Sequence, residues 1–133
     1  MSVLLDTHVW IWWLIRDPRL PSEDRARLNE LAGRSALHLS AISLWEAQML
    51  HSRRRVSLPM PFATWVAEAS DRSVVKLVPL DAEVAVALDE LPASFHGDPA
   101  DRLIAATSRC KRLPLATWDK ALRRSRALEI WRA

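Results

Sequence analysis

The sequence predicts an α/β fold, a three-layer α/β/α sandwich around a parallel sheet of four to five strands. Three observations carry this. Short apolar runs of strand length alternate along the chain with stretches of helical periodicity. Strands joined through helices pair in parallel and have both faces covered. The 133 residues contain no internal repeat, low-complexity tract or linker and only two glycines. A single domain over 1–133 is expected, large enough to bury a core without disulfide or zinc staples.

The elements follow in order. Residues 2–5 read as a buried strand ending at Asp6, and 7–15 as a helix stopped by the Asp17-Pro18 step. Pro21-Ser22 opens a second helix, with Ser22 as its N-cap, Leu28 and Leu31 inside and Gly33 at its close. A strand is expected at 36–39 and a helix from about 43 to 53. After Arg53-Arg54-Arg55 and two prolines, Phe62, Trp65, Val66 and Ala69 fall at helical spacing. A third strand occupies 74–78, and Asp81 caps a helix with Val84, Leu88 and Leu91 inward. Asp98-Pro99 is a strong helix start, because proline fits the first helical position and aspartate the cap. A fourth strand at 115–117, a short helix after Asp119 and a fifth strand at 128–131 complete the chain.

Composition narrows the function classes. The single cysteine, Cys110, excludes an internal disulfide, and no Cys/His spacing suits zinc, which fits a reducing cytosol. The apolar run 9–15 is too short to span a bilayer and lacks a basic flank, so no membrane role is expected. Sixteen arginines stand against three lysines, with a net charge of +3. Setting aside five proposed site acids leaves a clearly positive surface, which suits a polyanionic partner. Genome composition explains the arginines equally well.

The acids carry more. Parallel sheets place their ligand crevice beyond the carboxyl ends of the strands. Asp6 ends the first strand, Glu46 lies in the first turns after the second, and Asp119 follows the fourth. Asp98 and Asp101 open the helix that leads into it. Carboxylates gathered in one crevice repel one another unless cations lie among them. Oxygen-only ligands select a hard ion, Mg²⁺ or Mn²⁺, whose chemistry suits phosphodiester hydrolysis. Each acid also has a plainer reading: Asp98, Asp101 and Asp119 as helix-start residues, and Glu46 as a solvated helix position. Asp6, between an apolar strand and an apolar helix, is expected to be enclosed.

The segments Leu4-Leu5-Asp6-Thr7-His8, Ser43-Leu44-Trp45-Glu46, Asp98-Pro99-Ala100-Asp101-Arg102-Leu103-Ile104-Ala105-Ala106-Thr107 and Leu115-Ala116-Thr117-Trp118-Asp119 resemble, in order and spacing, the motifs of small PIN-domain proteins. VapC-type toxins are bacterial members of that family, and the resemblance runs from residue 4 to about 131. It implies a PIN-like α/β/α fold and a Mg²⁺- or Mn²⁺-dependent endoribonuclease, a hydrolase acting as the toxin of a toxin–antitoxin pair. It also implies a homodimer and a cognate antitoxin. By position, Asp6, Glu46, Asp101 and Asp119 match the family's acidic set, with Asp98 an extra acid of the branch carrying Asp-Pro-x-Asp-Arg. Thr7 and Thr117 match supporting hydroxyls.

Other residues are open. Ser43, three before Glu46, supports that helix turn. His8 meets a carboxylate or phosphate, or is a solvated helix-start histidine. His96 is a loop residue near enough to Asp98 for substrate contact. Arg102 pairs with nearby acids or with phosphate. Arg53, Arg54 and Arg55 contact RNA or form a solvated basic helix end. A dehalogenase-like phosphatase would need an Asp where His8 stands, and a receiver domain an Asp where Val78-Pro79 stands. The alternative kept is a PIN-fold RNA- or partner-binding module of little activity. Residues 9–15, apolar all round their helix, are expected to leave tryptophan surface for a second copy or an antitoxin segment, unless the Phe62-Trp65 helix folds back over them.

Overall fold

The computed structural model describes residues 1–95 and 97–133; His96 lies outside the described residues. The elements run β1 (Val3–Leu5), α1 (Thr7–Ile15), α2 (Ser22–Gly33), β2 (Leu37–Ser40), α3 (Ile42–Ser52), α4 (Phe62–Ala69), β3 (Lys76–Val78), α5 (Ala82–Asp89), α6 (Pro99–Lys111), β4 (Leu115–Ala116) and α7 (Lys120–Arg124). The strands form one parallel sheet in the order β3-β2-β1-β4.

Side-chain alternation along β1 explains why this sheet has two covered faces. Val3 and Leu5 point into a core shared with α1 to α4, while Leu4 points into one shared with Ile104 of α6 and Leu122 of α7. Successive strand residues face opposite sides, so an all-apolar strand needs helices on both. Ala105 and Ala106 of α6 extend the second layer onto Val84 and Ala87 of α5.

The topology also locates the crevice. β1 leads through α1 and α2 to β2 on one side, and the chain returns through α5 and α6 to β4 on the other side. The strand order therefore reverses between β1 and β4, and ligands bind at such a switch point, beyond the strand ends. Leu5 pairs with both Leu39 and Ala116, which brings the ends of β1, β2 and β4 level. The residues just past those ends are Asp6, α3 with Glu46, and Thr117 with Asp119.

Several boundaries differ from expectation for local reasons. β2 begins at Leu37, because the Ala36 amide is taken by the Leu31 carbonyl at the end of α2. The amides of Val74 and Val75 turn back to Asp71, so β3 begins only at Lys76. Residues 128–131 contribute a single parallel bridge, Leu115 to Ile130, rather than a fifth strand. Pro21, not Ser22, holds the cap position of α2, with no side-chain cap. The left-handed residue after that helix is Ser35 at φ 56°, not Gly33.

The largest correction concerns α1. Its tryptophans do not form an open surface, because α4 folds back over them. Trp10 is fully buried, packs on Trp65 with ring centroids 5.0 Å apart, and donates from Nε1 to the Ala69 carbonyl at 3.0 Å. Trp13 is buried and donates to Asn29 Oδ1 of α2 at 2.8 Å. Only Trp12 keeps part of its ring accessible. The exposed large apolar side chains lie elsewhere, among them Trp45, Leu77, Leu80, Val86 and Trp118. No helix among the described residues is long and apolar enough to cross a membrane.

Removing the Trp10 ring leaves a large void between α1, α4 and the sheet and orphans the Ala69 carbonyl. Trp10→Ala should therefore cost about 3–5 kcal/mol in urea denaturation, a large share of the stability of a domain this size. A loss below about 1 kcal/mol would show that α4 does not close over α1.

Candidate active site

Asp6 is the first residue past β1 and its side chain is only 5 % exposed. It caps α1, accepting from the Val9 amide at 2.8 Å. Its backbone amide stays on the sheet, donating to the Ala116 carbonyl at 3.0 Å. Strand and helix together thus fix the carboxylate at the switch point.

Thr117 closes the other side. Its hydroxyl accepts the Asp119 amide at 3.1 Å and hydrogen-bonds to the Asp6 carboxylate. A hydroxyl has one donor and two acceptor positions, so it donates to Asp6 while receiving from Asp119.

Glu46 reaches the site by a separate device. Thr7 Oγ1 and Ser43 Oγ lie 2.8 Å apart, both fully buried, tying the start of α1 to the first turn of α3. Three residues on, Glu46 shares that face of α3. It is 7 % exposed, and its Oε1 is buried with no hydrogen-bond partner among the described residues. Buried acceptors are nearly always paired, so an orphaned carboxylate oxygen calls for a missing donor or cation.

The electrostatics follow. Burial pushes the Asp6 carboxyl up to about 6, against an ordinary 3.8. The Thr117 hydroxyl, the Val9 amide and the nearby His8 pull it down, while Glu46 pushes it up further. Desolvation wins, because two hydrogen bonds do not replace the water a carboxylate loses.

A cleft of about 420 Å³ opens from this point. His8, Glu46 and Asp98 line it, together with Arg53 and Arg55 from just beyond α3. Arg54, at φ 56°, makes the turn between those two arginines. Trp12 and Arg19, which sequence reading missed, also line the cleft. Arg19 lies over the Trp12 ring at 4.7 Å and grips Asp17 through Nε at 3.0 Å and Nη2 at 2.7 Å. That grip holds the Asp17 carboxyl down at about 2.

The remaining acids are held by their own helices. Asp98 Oδ1 accepts from the amides of Ala100 and Asp101, at 2.9 and 3.2 Å, and Asp119 Oδ1 from Leu122 at 3.0 Å. Asp101 is half-buried in the first turn of α6. Arg102 donates to the Phe95 carbonyl at 3.2 Å. Among the described residues, no three His, Cys, Asp or Glu side chains are grouped closely enough to hold one ion. Asp6 and Glu46 are close enough to repel; the full acidic set is not drawn onto a single point.

A switch-point aspartate, a buried glutamate on α3 and acids at the starts of α6 and α7 now stand in the order the motifs suggested. The family model described as PIN domain matches residues 3–128. The chain belongs to the PIN-domain family. Ribonuclease VapC22 from Mycobacterium tuberculosis is 36% identical over 133 residues, covering 98% of both proteins. Solved structures share the PIN fold at lower identity. A chain of DNA-bound VapBC from Salmonella typhimurium matches with a TM-score of 0.75 and 20% identity, over 98% of this chain and 97% of that one. A chain of VapBC2 from Rickettsia felis, bound to a promoter DNA fragment, matches at 0.73 and 17%, over 98% of each.

The raised Asp6 carboxyl makes a stability prediction with a definite sign. The folded group titrates above the unfolded one, so its contribution is full below about 3.8 and is lost as pH rises through 6. Above that range the cost is on the order of 3 kcal/mol. Asp6→Asn keeps the cap acceptor without the charge. In EDTA it should be more stable than the natural chain at pH 8, with the gap closing towards pH 4. Denaturation at both pH values checks this; an Asn variant that is the weaker at pH 8 would contradict it.

Proposed function

We propose that this PIN-domain chain is a divalent-metal-dependent endoribonuclease, the toxin of a toxin–antitoxin pair with a cognate antitoxin as its partner. The observation that carries the reading is the Asp6–Glu46 pair, two buried carboxylates, one with an orphaned oxygen, at the switch point of the sheet. The name of the Mycobacterium tuberculosis relative supports the ribonuclease assignment, and the VapBC structures support the antitoxin.

The donor set fits Mg²⁺ or Mn²⁺. It is all oxygen, and Mg²⁺ keeps several waters and is held by one or two carboxylates together with substrate phosphate. Asp6, Asp98, Asp101 and Asp119, which do not meet at one point, would hold the metal partly through its retained waters, with Glu46 beside them; a bound ion would supply a Lewis acid for the phosphodiester and an acidified water. Thr117 and the Val9 amide keep Asp6 oriented. Glu46, its Oε1 unpaired, is available to take a proton from the attacking water. Arg53 and Arg55 meet the phosphates on either side of the cut, and His8 stands at the cleft mouth. RNA phosphates bring their own charge, so the arginine wall offsets repulsion from the acids.

A second reading has one observation in its favour. The absence of a three-ligand group among the described residues suits a PIN-fold RNA- or partner-binding module of little activity. Metal-dependent cleavage separates the two. With Mn²⁺ or Mg²⁺ the natural chain should cut single-stranded RNA, and EDTA should stop it. Asp6→Asn and Asp101→Asn should each lower the rate on the order of 10²-fold or more, with folding verified by circular dichroism. Asp98→Asn should be milder, since its oxygen is occupied as a helix cap. Undiminished cleavage by Asp6→Asn would remove the reading.

A further inference from the structure

Arg19 and Trp12 line the same cleft as Arg53 and Arg55, but they do not form an ordinary cationic surface. Arg19 is fixed on every side that matters: Nε and Nη2 are spent on Asp17, and its plane lies against Trp12. The loop beneath is anchored in turn. Arg25 donates to the carbonyls of Trp13 at 2.6 Å and Asp17 at 3.0 Å, closing the open end of α1. His8 meets the edge of Trp12 at 5.8 Å, so the ring cannot swing into the cleft.

Two consequences follow from the chemistry. The Asp17 partner offsets the charge of Arg19 and takes the Nε/Nη2 edge of its guanidinium, which weakens it as a phosphate ligand. The outer face of its guanidinium remains open, since the side chain is 63% exposed. A flat, rigid, charge-offset plane backed by an indole recognises another plane. Arginine planes and aromatic rings are the surfaces on which proteins stack unpaired bases.

We propose that Trp12 and Arg19 form a nucleobase-stacking platform that seats one unpaired base of the RNA next to the cut phosphodiester. The proposal rests on the ribonuclease reading and adds to it a specificity element: Arg53 and Arg55 hold the backbone, and the platform holds a base. Substrates would then be single-stranded at that position, because a paired base presents no open face.

The test measures binding of a short single-stranded RNA by the full chain in Ca²⁺, with RNA integrity checked on a gel. The same RNA carrying one abasic nucleotide, scanned through every position, is compared. The natural chain should lose about tenfold in affinity at one abasic position, as expected for one lost stacking contact. Arg19→Met keeps the stem over Trp12 and Arg19→Lys keeps the charge, but both lose the plane. Each should bind intact RNA about tenfold more weakly and be indifferent to the abasic position. Retained abasic sensitivity in Arg19→Met, or full rescue by Arg19→Lys, would overturn the platform. So would a natural chain that binds RNA but ignores every abasic site, which would assign the plane to a partner peptide instead. Mn²⁺-dependent cleavage alongside any of these results leaves the ribonuclease reading standing; a chain that neither binds nor cuts RNA ends both.

Discussion

Asp6 is a carboxylate held out of water by the strand that precedes it and the helix that follows it. Its amide belongs to the sheet, its Oδ1 to the cap of α1, and its remaining capacity to Thr117. The group cannot escape to solvent without breaking either element. The fold therefore keeps an anion where its charge is disfavoured, and Glu46 is brought in to make this worse. Buried like charges persist when function requires them. Much of the surrounding structure serves that placement: the Thr7–Ser43 contact and the level ends of β1, β2 and β4.

The two layers of helices divide the work. α1 to α4 enclose the tryptophans and give the Asp6 side of the crevice a rigid wall. α6 and α7 carry Asp98, Asp101 and Asp119, each at the start of a helix. Asp98 and Asp119 each cap their helix through Oδ1, where amides and dipole favour a carboxylate. Asp6 is likewise a helix cap, and it is burial that pushes its carboxyl up.

Much of this was legible in the chain. The alternation of apolar runs and helical stretches is a local signal, and it located every strand within two residues. The capping readings of Asp98 and Asp119 are borne out, each through its Oδ1. What escaped notice depends on contacts distant in sequence. The return of α4 over Trp10, which the sequence offered only as the alternative to an open tryptophan surface, is settled by the Trp10–Trp65 contact and the Ala69 carbonyl. Trp12 and Arg19 escaped for a similar reason: the bend at Asp17-Pro18 folds one onto the other, and only the three-dimensional cleft shows which side they face. The path by which Glu46 reaches Asp6, through two buried hydroxyls, is likewise visible only in space.

The central claim is that Asp6 is a carboxylate waiting for a cation. Carbon-13 NMR of the Asp6 carboxyl, titrated with and without saturating Mg²⁺, tests it most directly. The midpoint should lie near pH 6 in the metal-free chain, and should fall to roughly the ordinary range of about 4 or below when the ion is bound, because a bound cation favours the charged form. A midpoint already near 4 without metal, and unmoved by it, would contradict the account.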